Sequence, residues 1–211
     1  MSVVAVIDYG MGNLDSVRRA LEVAGAKVIV TSDPADLDDV DRIVLPGVGA
    51  FGVAMDNLRT RGLDTALTDQ VQGQRVPFLG ICLGMQLMAT TGTEHGDQVG
   101  LGWIPGSVTR LIPTATDPRV PHVGWNEVHP TTEHALFAGV DADRDFYFVH
   151  SYAFACEDPA HSLATTPYAD GFTSVVGLGN ALGVQFHPEK SQQVGQVLLK
   201  NFLAWDGTSP C

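Results

Sequence analysis

The chain has 211 residues, 45% of them hydrophobic and 17% charged, a globular composition with ample material for a core and no apolar run long enough to span a membrane. A formal net charge of −12, with only 12 scattered Lys and Arg, argues against a nucleic-acid surface, which needs clustered cations. Three widely separated cysteines, Cys82, Cys156 and Cys211, exclude a disulfide framework and suit a reducing cytosol. The N-terminus runs straight into a strand pattern without a basic leader, so the expectation is a soluble cytoplasmic chain, with one domain over residues 1–211 as the simplest division.

Residues 3–7 read as a buried strand and residues 8–13 as a loop. Leu14, Val17, Ala20, Leu21 and Ala24 then recur at helical spacing, with Asn13 placed to cap the start and Gly25 to stop the end. The Gly10-x-Gly12 pair reads as a turn, because Asp15 stands where a dinucleotide-binding loop needs its third glycine. Residues 27–31 form a second strand, Asp33-Pro34 opens a short acidic helix, and residues 42–45 form a third strand that runs into Pro46-Gly47-Val48-Gly49-Ala50-Phe51-Gly52. Glycines at the carboxyl end of a strand either let a ligand approach the backbone or simply connect two elements. Helical patterns follow over 53–59 and 63–71.

The stretch Val76-Pro77-Phe78-Leu79-Gly80-Ile81-Cys82-Leu83-Gly84-Met85-Gln86-Leu87-Met88 puts a glycine-flanked cysteine between an apolar strand and an apolar helical pattern. This is the cysteine form of the nucleophile elbow, where small neighbours permit a strained turn that exposes the reactive atom. Unpaired N–H groups at the start of the following helix would favour a thiolate, and Leu83 N–H would be one oxyanion donor. The competing reading is a small apolar cysteine that fills a strand end.

From residue 100 the grammar changes. Short strands over 103–106, 108–112, 120–128, 146–154 and 163–166 predict a mixed or antiparallel continuation of the sheet. Residues 173–186 form a hairpin with Gly179-Asn180 at its turn, which delivers His187-Pro188-Glu189. Positions two apart at a strand end project to one side, so Glu189 can orient His187 while the other ring nitrogen faces Cys82. A last helix carries Val194, Val197, Leu198 and Phe202, and the tail after Asp206 is polar and loose. The remaining six histidines lack metal-ligand spacing, so no metal is expected. The fold class is therefore α/β: a flavodoxin-like open twisted, mostly parallel sheet flanked by helices, with an added antiparallel portion in the C-terminal half.

Pro46-Gly47-Val48-Gly49, Gly80-Ile81-Cys82-Leu83-Gly84-Met85-Gln86 and Gln185-Phe186-His187-Pro188-Glu189-Lys190-Ser191 resemble the three signatures of the triad (class I) glutamine amidotransferases. Pro121-His122-Val123-Gly124-Trp125-Asn126 and Tyr147-Phe148-Val149-His150-Ser151-Tyr152 narrow the resemblance to the glutaminase subunits of imidazole glycerol phosphate synthase, over essentially the whole chain. The resemblance implies Cys82 as nucleophile, His187 as general base and then acid, and Glu189 as its orienting partner. It implies an oxyanion hole from Leu83 and, after a peptide flip, Val48, and a grip on glutamine by Gly49, Gln86, Glu94, Ser151 and Tyr152. It also implies no cofactor, and a heterodimer with a (β/α)8-barrel cyclase subunit that takes the ammonia, meeting it near Trp125, Asn126, Tyr147 and Lys190. For Trp125 and Tyr147 the competing reading is aromatic core packing. The other function classes kept open are a triad amidotransferase serving another synthase and a non-catalytic flavodoxin-like module.

Overall fold

A computed structural model describes residues 2–140 and 144–208. The chain alternates strands and helices through its first half: β1 (Val3–Ile7), α1 (Leu14–Ala24), β2 (Lys27–Thr31), β3 (Arg42–Gly47), α2 (Phe51–Thr60), α3 (Leu63–Thr68), β4 (Phe78–Cys82) and α4 (Leu83–Gln86). The second half is mostly strands: β5 (Ala89–Gly92), β6 (Gln98–Val99), β7 (Ile104–Arg110), β8 (His122–Glu127), β9 (His129–Pro130), β10 (Asp145–His150), β11 (Tyr152–Cys156), β12 (Ser162–Thr166), β13 (Phe172–Leu178) and β14 (Ala181–Val184). Helix α5 (Gln192–Ala204) ends the fold.

Twelve of these strands form one sheet in the order β2-β1-β3-β4-β14-β13-β11-β7-β5-β6, with β12 attached to β13 and β9. The first five in that order are parallel and the rest mainly antiparallel. Two apolar clusters cover the two faces, one packed with α1 and α5 and the other with α2 and α3. This is the open, helix-flanked α/β sheet that alternating apolar strands and helices require. Asn13 caps α1 by accepting from Ser16 N (3.4 Å), and Gly25 closes it in the left-handed conformation, as the residue types dictate.

The structure departs from the sequence reading where apolar runs carry no period. Residues 83–89 are all buried, and a fully buried run does not distinguish helix from strand. The helix after Cys82 is accordingly a single turn, followed by a two-residue turn at Leu87 and Met88 and then β5. Residues 146–154 are two strands in two sheets: β10 pairs with β8 in a separate two-stranded ribbon, β11 joins the main sheet, and Ser151 is the break. Residues 103–112 are the reverse case, one strand (β7) instead of two. Helix α2 begins at Phe51, two residues early, and α3 gives way to a wide helical turn over Asp69–Gly73. The tail is held as far as Thr208, whose carbonyl accepts from the Trp205 indole (2.6 Å). Residues 209–211, Cys211 among them, lie outside the described residues.

The elbow is the tightest part of the fold. A side chain on Gly84 would run into the Leu45 carbonyl, and a Cβ on Gly80 would lie 2.6 Å from the Gly84 backbone. Gly84→Ala is therefore expected to cost about 3 kcal/mol in urea unfolding. Gly73→Ala, which meets open space, should change stability by less than about 0.5 kcal/mol.

Candidate active site

Strands β4 and β14 are parallel neighbours, with Val184 opposite Ile81, so the chain leaves both at the same rim of the sheet. On the other flank of β4, Gly47 of β3 stands opposite Cys82. Cys82 has φ 55 and ψ −108, a left-handed backbone that a non-glycine residue adopts only where its surroundings impose it. Leu83 opens the one-turn helix, whose first N–H groups have no partner within it. With four residues the helix supplies local N–H groups rather than a developed macrodipole.

A cavity of about 250 Å3 lies beside this turn. Val48 and Gly49 reach it from the end of β3, Cys82, Leu83 and Gln86 from the elbow, and Glu94 from the β5–β6 loop. The broken strand adds residues 149–152. The expected oxyanion and glutamine residues thus line one space. Val149 and His150 line it too; sequence reasoning missed both, although they lie inside a quoted motif. Two of the expected residues also serve the fold. A Glu94 carboxylate oxygen accepts from Phe51 N (2.8 Å), which caps α2 and explains its early start, since Ala50 provides no side-chain cap. The Gln86 amide nitrogen donates to the Tyr152 carbonyl (2.9 Å) and to Gln185 Oε1 (3.0 Å).

His187 and Glu189 meet at 2.7 Å between Nδ1 and Oε1, both buried. The 3-10 turn Pro188–Lys190 brings them together, not the alternation of a strand, because β14 has already ended at Val184. A carboxylate accepts, so Nδ1 carries the proton it donates. Burial is the largest single influence on the imidazole and pushes it down, but hydrogen bonding and charge from Cys82 and Glu189 outweigh it and raise the group from 6.5 to about 9. Nε2 is buried and, among the described residues, makes no hydrogen bond of good geometry. The turn is braced from β10: His187 N donates to the Tyr147 carbonyl (2.9 Å), Tyr147 N to Ser191 Oγ (3.0 Å), and Ser191 Oγ to the His187 carbonyl (2.6 Å). Ser191 is fully buried, a role that nothing local in the sequence marks.

A second buried network supports the cavity wall. The Tyr152 carbonyl can only accept, so His150 Nδ1–H donates to it (2.8 Å) and His150 Nε2 must accept from His122 Nδ1–H (3.0 Å). His122 Nε2 then accepts from Asn126 Nδ2 (3.3 Å), whose oxygen accepts from Glu127 N (2.9 Å). Burial pushes His150 down to about 3 and His122 to about 4, so both are neutral at pH 7. Asn126, expected near a partner surface, is half-buried with its amide hydrogen-bonded to His122. Trp125 is 45% exposed and meets the Tyr147 ring edge-on (centroids 5.9 Å), while Lys190 Nζ lies 5.7 Å from that ring, so this pair is outward-facing and not core. Cys156 is half-buried, and desolvation pushes its thiol up to about 11. Among the described residues, no His, Cys, Asp or Glu cluster could hold a metal ion, and no helix is long and apolar enough to cross a membrane.

Residues 5–205 match the class-I glutamine amidotransferase family. The chain is similar to imidazole glycerol phosphate synthase subunit HisH of Salinibacter ruber, 48% identical over 94% of this chain and 93% of that protein. It is equally similar to the HisH subunit of Symbiobacterium thermophilum, 48% identical over 96% and 93%. The fold resembles a crystal structure of a glutamine amidotransferase with a TM-score of 0.74 at 19% identity, covering 95% of this chain and 97% of that one.

Two titration experiments follow from the site. Glu189→Gln should lower the His187 value of about 9 in an NMR titration, since it removes one of the two upward influences. The histidine pair acts on stability in the opposite pH range. Its folded values lie below the ordinary 6.5, so the unfolded chain binds more protons, and stability should fall as pH drops from about 6.5 through 4 and 3, by at most about 1.4 kcal/mol per pH unit per group. Urea unfolding of a His150→Gln variant should show a flatter dependence than that of the parent chain.

Proposed function

This chain belongs to the class-I glutamine amidotransferases, in the branch of the imidazole glycerol phosphate synthase subunits named HisH, and from that premise we propose how its residues divide the reaction. Cys82 as a thiolate attacks the side-chain carboxamide of glutamine. His187, protonated beside it, gives its proton to the departing ammonia as the C–N bond breaks and a glutamyl thioester forms. Water then attacks the thioester, His187 takes the water's proton, and the C–S bond breaks to release glutamate and restore the thiolate. Glu189 holds the imidazole in the required orientation throughout. Leu83 N–H and Val48 N–H bind the oxyanion. Gly49, Gln86, Glu94, Ser151 and Tyr152 hold glutamine, and no cofactor takes part.

One observation carries this reading. The cysteine in a strained elbow and an imidazole anchored by a carboxylate leave neighbouring parallel strands at the same rim, beside a cavity lined by the residues assigned to the substrate. Labelling with a glutamine analogue that bears an electrophile tests it. Cys82→Ser should abolish both the label and glutamine turnover, while the assembled synthase still works with free ammonia. Labelling or hydrolysis that survived the substitution would remove Cys82 as the nucleophile.

The ammonia passes to a (β/α)8-barrel cyclase subunit in a cytoplasmic heterodimer, which forms imidazole glycerol phosphate and an aminoimidazole carboxamide ribotide in histidine biosynthesis. The outer face of the β8–β10 ribbon is the docking surface. Val123 (57% exposed) and Trp125 stand directly across from Val149 and Tyr147, so four apolar side chains share one face, with Lys190 over Tyr147. This ribbon also leads into the cavity wall, and turnover is expected to rise when the partner is occupied. Trp125→Ala should weaken the complex by about 2 kcal/mol, roughly a thirtyfold rise in Kd by calorimetry.

A further inference from the structure

We infer that Gln185 is a further catalytic residue, whose side-chain amide donates to the Cys82 sulfur and holds its negative charge before attack and again as the thioester is cleaved. The inference rests on the reading of Cys82 as nucleophile.

Gln185 follows the last residue of β14 and is fully buried, with its backbone N–H donating to the Ser174 carbonyl (2.9 Å). Its Nε2 lies 3.6 Å from Cys82 Sγ, an N–H···S hydrogen bond. The orientation of the amide decides whether the sulfur meets a donor or a carbonyl oxygen, and the neighbouring groups decide the orientation. Gln86 Nε2 is within reach of both the Tyr152 carbonyl and Gln185 Oε1. A backbone carbonyl only accepts, so Gln86 must turn its nitrogen toward it. The second hydrogen of that nitrogen requires an acceptor on Gln185. The Gln185 oxygen therefore faces Gln86, and its nitrogen faces the sulfur. Reversing Gln185 would set two NH2 groups against each other and a carbonyl oxygen against the thiolate, with buried donors left unpaired. The Tyr152 carbonyl also accepts from His150, so donors converge on it from two sides, and on the side of the sulfur the direction runs from Gln86 through Gln185 to Cys82.

A sulfur 3.9 Å from the Val149 carbonyl gains no stabilisation as an anion from that side. The Gln185 donor compensates, and it also fixes where the sulfur's lone pairs point. During attack the sulfur's electron pair forms the C–S bond and the charge moves to the carbonyl oxygen. When water cleaves the thioester, the pair returns to sulfur and the same N–H receives it, which makes the thiolate a better leaving group. Gln185 does not line the cavity, and without it Gln86 keeps its hydrogen bond to the Tyr152 carbonyl, so loss of Gln185 should act on kcat far more than on KM.

The test compares Gln185→Met, similar in length but without a donor, with the parent chain. Alkylation of Cys82 by iodoacetamide at pH 7 should slow about tenfold, as for a lost hydrogen bond to a charged group, with a similar fall in kcat for glutamine in the complete synthase. KM should stay within about twofold. Gln185→Glu should be slower still, because it sets a carboxylate against the sulfur. Either the alkylation rate or kcat left at the parent value overturns the assignment, as does a rise in KM alone. If Gln185→Met fails to assemble with the partner, the unaltered chain decides: the Gln185 side-chain amide protons should titrate in step with the pH profile of Cys82 alkylation, and a flat profile overturns the assignment. A parent synthase that turns over no glutamine would instead refute the reading of Cys82, which separates the two failures.

Discussion

The parallel pairing of β4 with β14 sets the geometry of everything around it. Residues about a hundred positions apart in the chain become neighbours because Ile81 and Val184 share a register, and a shift of one residue would send one of the two following side chains to the opposite face. The register is enforced by close packing. Gly80 and Gly84 let the elbow backbone lie directly on itself and against the Leu45 carbonyl of β3, so three strands and one helical turn are locked where the sulfur emerges. The strained backbone at Cys82 is tolerated because this packing leaves the chain no other path.

Much of this was legible because the chemistry is written in short local patterns. The glycines around Cys82, the His-Pro-Glu turn, and the Asn13 and Gly25 caps each specify a conformation within a few residues. The parallel half of the sheet follows from apolar strands that alternate with amphipathic helices. What the sequence did not disclose is long-range or lacks a period. The buried run 83–89 has no polar face to reveal where the helix stops. Buried aromatic and histidine positions continue on both sides of Ser151, and only pairing with two different partners shows that residues 146–154 change sheets. The early start of α2 depends on a carboxylate 43 positions away. His187 and Glu189 were expected together, but by strand alternation; Pro188 instead tightens the chain into a 3-10 turn.

The buried polar groups were the least legible part of the site. Gln86, Gln185, His122, His150 and Ser191 are all nearly or fully buried, and each has a hydrogen-bond partner far away in the chain. A polar residue between Val184 and Phe186 is the one local sign that Gln185 has a partner waiting. The two networks share a design. Each begins from a backbone carbonyl, a group that cannot reverse its role, and the direction of every other hydrogen bond follows from it. Neutral histidines suit this arrangement, because a second ring proton would set two donors face to face.

The brace between the ribbon and the His187–Glu189 turn passes through the peptide groups of Tyr147, not its phenol. The residue therefore acts through two different parts of its structure, its peptide groups and its ring. Replacing its ring removes the edge contact with Trp125 and the ring that lies 6.5 Å from the His187 imidazole, but leaves the peptide hydrogen bonds in place. Only a residue without an amide hydrogen, namely proline, would release the Ser191 hydroxyl. Side-chain scanning at this position consequently leaves the peptide tie to the imidazole untouched.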